Sequence, residues 1–205
     1  MTATKPGPEL IDPTGTTSGH VLTSTGGSTA PTFQAGGGGW TYVSAVTASS
    51  SATVSFTGME SGYDYQIAFT GVLPATDNTT LRVEVGITGP TYRTSGYSGQ
   101  ATNSTSTPSQ DSNIYTSFIS LAQASWGNAA DEHGVGHLIL HDPADASTDT
   151  YWQGFWHNLN TTGIHQNGLT AGHYTTSEAN TAVKAYMASG NISVGEFKLY
   201  RRANA

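Results

Sequence analysis

Hydrophobic positions in this chain follow two regimes. From residue 40 onward they recur with a period of two. Trp40, Tyr42, Ser44 and Val46 share one face of an extended segment, and Val54 and Phe56 share the next. Tyr63, Tyr65, Ile67 and Phe69 alternate against Asp64, Gln66 and Thr70; Leu81, Val83, Val85 and Ile87 alternate against Arg82, Glu84 and Gly86. Residues 58–62 and 74–78 read as turns by composition. Further strands are predicted over 114–121, 134–140, 150–158, 168–174 and 181–187. Residues 96–111 carry no periodicity and are predicted to be a polar loop, long enough to be functional or mobile.

The last segment, NISVGEFKLY over residues 191–200, is predicted to complete a sheet that earlier strands have laid out. Phe197 and Leu199 are expected inside, in phase with 65–69 and 81–87, and Lys198 and Tyr200 outside. A one-residue slip would bury Lys198 and expose Phe197, so the register is strongly specified. Only a short basic tail is expected after it. Nine or ten strands at short spacing, without an amphipathic helix, predict an all-β fold: an antiparallel, jelly-roll-like β-sandwich.

Residues 1–39 obey no such period. Pro6, Pro8, Pro13 and Pro31 exclude a continuous helix, and Gly, Ser and Thr fill the gaps. The apolar pairs Leu10-Ile11 and Val21-Leu22 cannot build a core within one chain. They either pack against the same residues of neighbouring copies around a symmetry axis, or belong to a tail without fixed structure. Four glycines at 36–39 mark a flexible boundary. The expected organisation is an extended docking and trimerisation arm with a Gly-rich linker over 1–39, then a sandwich domain over 40–205.

Composition narrows the function classes. Charged residues make up 10% of the chain, against roughly 25% in an ordinary globular protein. Aromatics make up another 10%, which argues against disorder. With 7 Lys+Arg and a net charge of −7, no basic patch can track a phosphate backbone, so nucleic acid is not an expected partner. Cysteine is absent, which removes thiol redox chemistry and thiolate metal sites. No apolar run reaches the ~20 residues of a membrane span, and the N-terminus lacks the apolar stretch of a secretory signal. The protein is expected to be made in a cytoplasm and to leave it by lysis or within a particle.

Two stretches carry a resemblance. GHVLTSTGGSTAPTFQA, residues 19–35, resembles the linker that recurs in tail fibres and other appendage proteins of tailed bacteriophages. Residues 40–86 resemble the start of a β-sandwich module found after that linker: a leading Trp, the run ASSSATVSFTG, a Y-x-Y strand, a PATD turn and an L-x-V strand. SGNISVGEFKLYRR, residues 189–202, resembles the module's close, with Arg201 where glycine is more usual. Residues 96–179 match in layout only. The resemblance implies a non-enzymatic structural protein of a tailed-phage virion. On this reading it is a homotrimeric tail fibre or fibre tip, docked to other virion proteins by its arm and attaching to a host-surface glycan or protein. A capsid decoration or head-fibre protein, and a carbohydrate-binding or polysaccharide-degrading module, are the alternatives.

Side chains that bear chemistry are few. His133, His137 and His141 lie four apart, but Gly134, Gly136 and Pro143 disfavour a helix. In a strand they share one face about 13 Å apart, too far for one ion. One histidine from each of three subunits is the arrangement left open. The acidic residues Asp131, Glu132, Asp142, Asp145 and Asp149 match no EF-hand loop and read as solvated turns. No nucleophile elbow or phosphate loop is present, and no metal or cofactor is expected. The aromatic segment TYWQGFWHN over 150–158 places Trp152 and Trp156 on one face, with Tyr151, Phe155 and His157 on the other. One set packs inside; the other lies at an interface or forms a binding platform. Trp126, Trp152, Trp156, His157, Asn158, His173 and Tyr174 are the candidate ligand-binding residues. Leu10, Ile11, Val21 and Leu22 are the candidate oligomer interface.

Overall fold

Two units make up the chain, Met1–Gly39 and Trp40–Ala205. The computed structural model describes residues 20–23, 32–35, 39–105, 110–122 and 125–204, with the side chains of 20–23, 32–35, 110 and 111 left out. In the first unit, β1 (His20–Thr23) pairs antiparallel with β2 (Thr32–Ala35), Val21 opposite Gln34 and Leu22 opposite Phe33. Two short runs rich in β-formers flank a Gly/Ser-rich stretch, which is the composition of a hairpin. Leu10 and Ile11 lie outside the described residues.

Strands of the second unit begin with β3 (Thr41–Ser51), β4 (Val54–Thr57), β5 (Tyr63–Pro74), β6 (Leu81–Ile87) and β7 (Thr91–Tyr92). The chain continues through β8 (Tyr97–Thr105), β9 (Gln110–Tyr115), β10 (Ile119–Ser120), β11 (Gly134–His141) and β12 (Thr150–Leu159). It ends with β13 (His165–Tyr174), β14 (Ala182–Met187) and β15 (Ile192–Ala203). One sheet runs β3-β15-β5-β11-β12-β13-β8-β9; the other runs β10-β6-β14-β4, with β7 on β6. Eight of these strands wind as a jelly roll. The quartet β3-β15-β5-β11 lies in one layer and β4-β14-β6-β10 in the other, and the chain moves between layers from β3 through β6 and again from β10 to β15. The remaining strands are insertions. β8 and β9 enter between β6 and β10, β12 and β13 between β11 and β14, and together they extend the large sheet past β11.

β15 fills the slot between β3 and β5. Phe197 lies opposite Phe69 and Val46, and Leu199 opposite Ile67 and Ser44. Both are buried, at 1% and 2% exposure, while Lys198 and Tyr200 face outward. The segment 81–87 is not alongside β15. The turn after Pro74 carries the chain across the sandwich, so β6 belongs to the opposite layer and meets β15 only through the shared core. What reads as a basic tail is the end of β15: Arg201 pairs with Glu60 at 2.9 Å and Arg202 with the buried Asp64 at 2.6 Å.

Two other expectations are corrected. Residues 96–111 are not one loop, since 97–105 form β8 and 110–111 begin β9. The inward positions of β8 are Tyr97, Gly99, Ala101 and Asn103, and glycine is small for a reason visible across the sheet. A Cβ on Gly99 would lie 2.3 Å from the Trp152 ring. Residues 114–121 are not one strand. The chain turns at 116–118 and passes from β9 in the large sheet to β10 in the small one.

Candidate recognition face

β12 decides which of its two aromatic sets is wet. Trp152 and Trp156 point inward at 3% and 1% exposure, and Trp126 is fully buried. The facing strands make the room. A Cβ on Gly168 would lie 1.8 Å from the Thr102 carbonyl and 2.5 Å from the Trp156 ring, and one on Gly172 would lie 2.5 Å from the Trp152 ring. The Trp126 indole N–H donates to the Glu132 carbonyl at 3.0 Å. Asn158 is fully buried and its amide donates to the Leu159 carbonyl at 2.9 Å. Tyr174 packs its ring on Tyr97 and donates its hydroxyl to Glu178 at 2.9 Å. Trp126, Trp152, Trp156, Asn158 and Tyr174 are therefore core residues, and the ligand-binding role expected of them is corrected. The alternation that exposes one face of β12 buries the other.

His157 and His173 do face outward, though at opposite ends of β12 and β13. Between them the outer surface of β11, β12 and β13 is laid out by register. His137, Phe155 and Leu169 form one row; Ile139, Gln153 and Ala171 form the next. His141, Tyr151 and His173 form the row at one end, and Val135, His157 and Asn167 the row at the other. No outward position in these rows carries a formal carboxylate, ammonium or guanidinium. Tyr151 is 54% exposed and Leu169 61%, unusual for large apolar side chains in the middle of a sheet. A shallow depression of about 360 Å³ lies over His137, Ile139, Gln153, Phe155, Leu169 and Ala171.

The ends of the face are ordered by side-chain contacts. Tyr151 stacks on His173 with ring centroids 5.3 Å apart and planes 12° from parallel. His173 Nδ1 sits 3.0 Å from Asp149 Oδ2, and Asp149 Oδ1 accepts from the Ser177 hydroxyl at 3.1 Å. These contacts fix both rings of the stack. At the other end His157 Nε2 lies 3.1 Å from His165 Nδ1, so one imidazole donates and the other accepts. Burial, and then the neighbouring His165, hold the His157 pKa below its ordinary value.

Fixed ring faces beside amide and imidazole groups suit recognition of a ligand with apolar faces and hydroxyl edges. Tyr151 and Phe155 belong to this face as the second aromatic set of residues 150–158, and His137 as one of the spaced histidines; Leu169 and His165 also belong to it and were not singled out from sequence. The signal was present: inward glycines at 168 and 172 opposite Trp156 and Trp152 tell which rings go inside.

The histidine series along β11 disperses. His133 Nδ1 lies 3.0 Å from the Gly71 carbonyl, His137 packs beside Phe155, and His141 Nδ1 is 3.5 Å from Asp64. Among the described residues no group of three or more His, Asp or Glu side chains could hold a metal ion. Asp142 accepts the Gly62 N–H at 2.9 Å and Asp145 the Ser147 N–H at 2.8 Å, both as loop-ordering contacts. No protein-family model matches the sequence, and no curated protein matches it.

Proposed function

We propose that this chain is a structural, non-catalytic protein of a tailed-phage virion: a homotrimeric tail-fibre or fibre-tip protein that presents its jelly-roll domain for host-surface attachment. The observation that carries the attachment role is the uncharged face of β11, β12 and β13, with Tyr151, Phe155 and Leu169 held outward on a rigid sheet. Sites on strands are held more accurately than sites on loops, which suits repeated engagement of a surface epitope. The virion role is supported by the order of motifs along the chain. A linker-like segment precedes a domain that opens on Trp40, and the closing segment resembles that of the appendage module. Trimerisation is supported by that resemblance and by cyclic closure as the usual way for copies to satisfy one interface.

Two measurements test this reading. Native mass should be three times the 21.3 kDa chain, and a monomer at micromolar concentration would remove the trimer. Antibody to the full chain should label particles at the tail, and prior addition of the protein to host cells should block adsorption. Label on the capsid, or unimpeded adsorption, would overturn the attachment role.

A further inference from the structure

A second region of different chemistry lies where Arg82 of the small sheet meets β9 of the large one. The sequence contains 7 Lys+Arg, of which all but Lys5 lie among the described residues. Arg93 pairs with Glu178, Lys184 with Glu84, Lys198 with Glu196, Arg201 with Glu60 and Arg202 with Asp64. Among the residues whose side chains are described, Arg82 is the one Lys or Arg with no carboxylate within ion-pair distance. In a chain with 14 Asp+Glu that is an unusual position for a guanidinium to be left in.

The surroundings of Arg82 hold it in place without neutralising it. Its guanidinium lies over the Phe118 ring, 4.0 Å from the centroid, and Phe118 packs on Tyr115 at 5.2 Å. Its Nε is buried and has no acceptor. The nearest carboxylate on its own strand, Glu84, is taken by the Lys184 ammonium at 2.9 Å and by the Tyr186 hydroxyl. Arg82 lines a pocket of about 260 Å³ with Asn78, Thr80, Asn113 and Tyr115, and no Asp or Glu lines it among the residues whose side chains are described. Ligand pockets for drug-sized molecules run from about 300 Å³ upward, so this one has room for roughly a single sugar ring.

We propose that this pocket binds a carboxylate-bearing saccharide, a hexuronic acid or a sugar of the same chemistry. With Nε buried and the cross-strand Tyr186 hydroxyl beside the guanidinium, the terminal nitrogens are the groups left to meet a planar carboxylate through charge-assisted hydrogen bonds. Asn78, Thr80 and Asn113 offer amides and hydroxyls to the ring hydroxyls, and Tyr115 offers a ring face to the sugar's C–H face. That the saccharide belongs to a host surface rests on the attachment role proposed above; the pocket itself does not.

The test is an NMR titration of the full chain with sodium glucuronate, glucose and inorganic phosphate at constant ionic strength. Glucuronate should bind with a Kd on the order of 1 mM, and glucose and phosphate about tenfold more weakly or worse. Phosphate binding as tight as glucuronate would reduce the site to a general anion contact and overturn the assignment, as would equal binding of glucose. Arg82→Gln should abolish glucuronate binding while the spectrum stays folded. Asn113→Trp, at an exposed position, should fill the pocket and weaken binding about tenfold; it decides the matter if Arg82→Gln does not fold. Unchanged affinity in Asn113→Trp would overturn the proposal. Host adsorption measured with added glucuronate separates the two ideas, because binding without any effect on adsorption would count against the attachment role alone.

Discussion

The two halves of the large sheet build their inner faces by different rules. At the centre of the first half, β3-β15-β5-β11, the strands β15 and β5 each bring their own share of the volume and large residues meet in phase, although β11 also makes room, since a Cβ on Gly136 would lie 2.5 Å from the Phe69 ring. Phe197 lies opposite Phe69 with ring centroids 6.1 Å apart, and Leu199 lies opposite Ile67. In β12-β13-β8 one strand supplies the bulk and its neighbours supply space. Trp152 and Trp156 extend from β12 over Gly172 and Gly168 of β13, and Trp152 also reaches Gly99 of β8. The first half is a set of similar contributors that can share a loss. The second is a lock between particular rings and particular glycines, where a loss falls on backbone that cannot move in.

Truncation of each half is the largest test of that difference. Trp156→Ala should cost about 4–5 kcal/mol, since the space it leaves is walled by Gly168 and the Thr102 carbonyl. Phe197→Ala should cost about 3–4 kcal/mol, because Phe69 and the aliphatic side chains around it relax partly into the void. Denaturant midpoints of the two variants decide the order. A larger loss for Phe197→Ala would mean that the glycine-walled half collapses as readily as the other, and the contrast would disappear.

The same contrast explains which parts of the fold could be read from sequence. β5, β6 and β15 announce themselves, because a strand that carries its own apolar volume alternates visibly between Phe, Leu, Ile or Val and polar residues. β8 does not. Its inward positions include Ala101 and Gly99, and the smallness of Gly99 answers Trp152 on another strand, so the segment reads as a loop when taken alone. The site was legible in the same partial way. The alternation in β12 gave two faces and their membership, but which face was wet depended on Gly168 and Gly172 of the next strand, β13. The pairing of His157 with His165 and the stacking of Tyr151 on His173 are properties of strand register, which a linear pattern does not contain.

A smaller effect should separate ring-limited glycines from backbone-limited ones. A Cβ at Gly99 meets the Trp152 ring at 2.3 Å, but its nearest backbone neighbour, the Ala171 carbonyl, is at 3.2 Å. Gly99→Ala should therefore cost about 1–3 kcal/mol by overpacking, and much of that loss should vanish in a Trp152→Phe background. The coupling measured by the double-mutant cycle should be about 1–2 kcal/mol. Gly168 is the control. Its Cβ would meet the Thr102 carbonyl at 1.8 Å, so Trp156→Phe should give Gly168→Ala no relief. Equal rescue at both positions would show that ring size, not backbone approach, sets the glycines in this half.

The smallest expected effect lies on the outer face of the same half, at His157. His157 has its pKa held below 6.5, first by burial and then by His165, whose Nδ1 is 3.1 Å from its Nε2. The neutral imidazole is thus favoured in the folded chain relative to the unfolded one. Its contribution to stability is complete above the unfolded value and falls as pH drops through it, because there the unfolded chain takes up a proton that the folded chain resists. Stability should decline modestly from about pH 7 to about pH 5. In His157→Gln that decline should be shallower, though other groups titrate over the same range and some slope remains. Midpoints of wild type and variant at matched pH give the difference directly. Parallel curves would mean that His157 titrates alike in both states, and that the His157–His165 contact is open enough to water to leave the imidazole indifferent to folding.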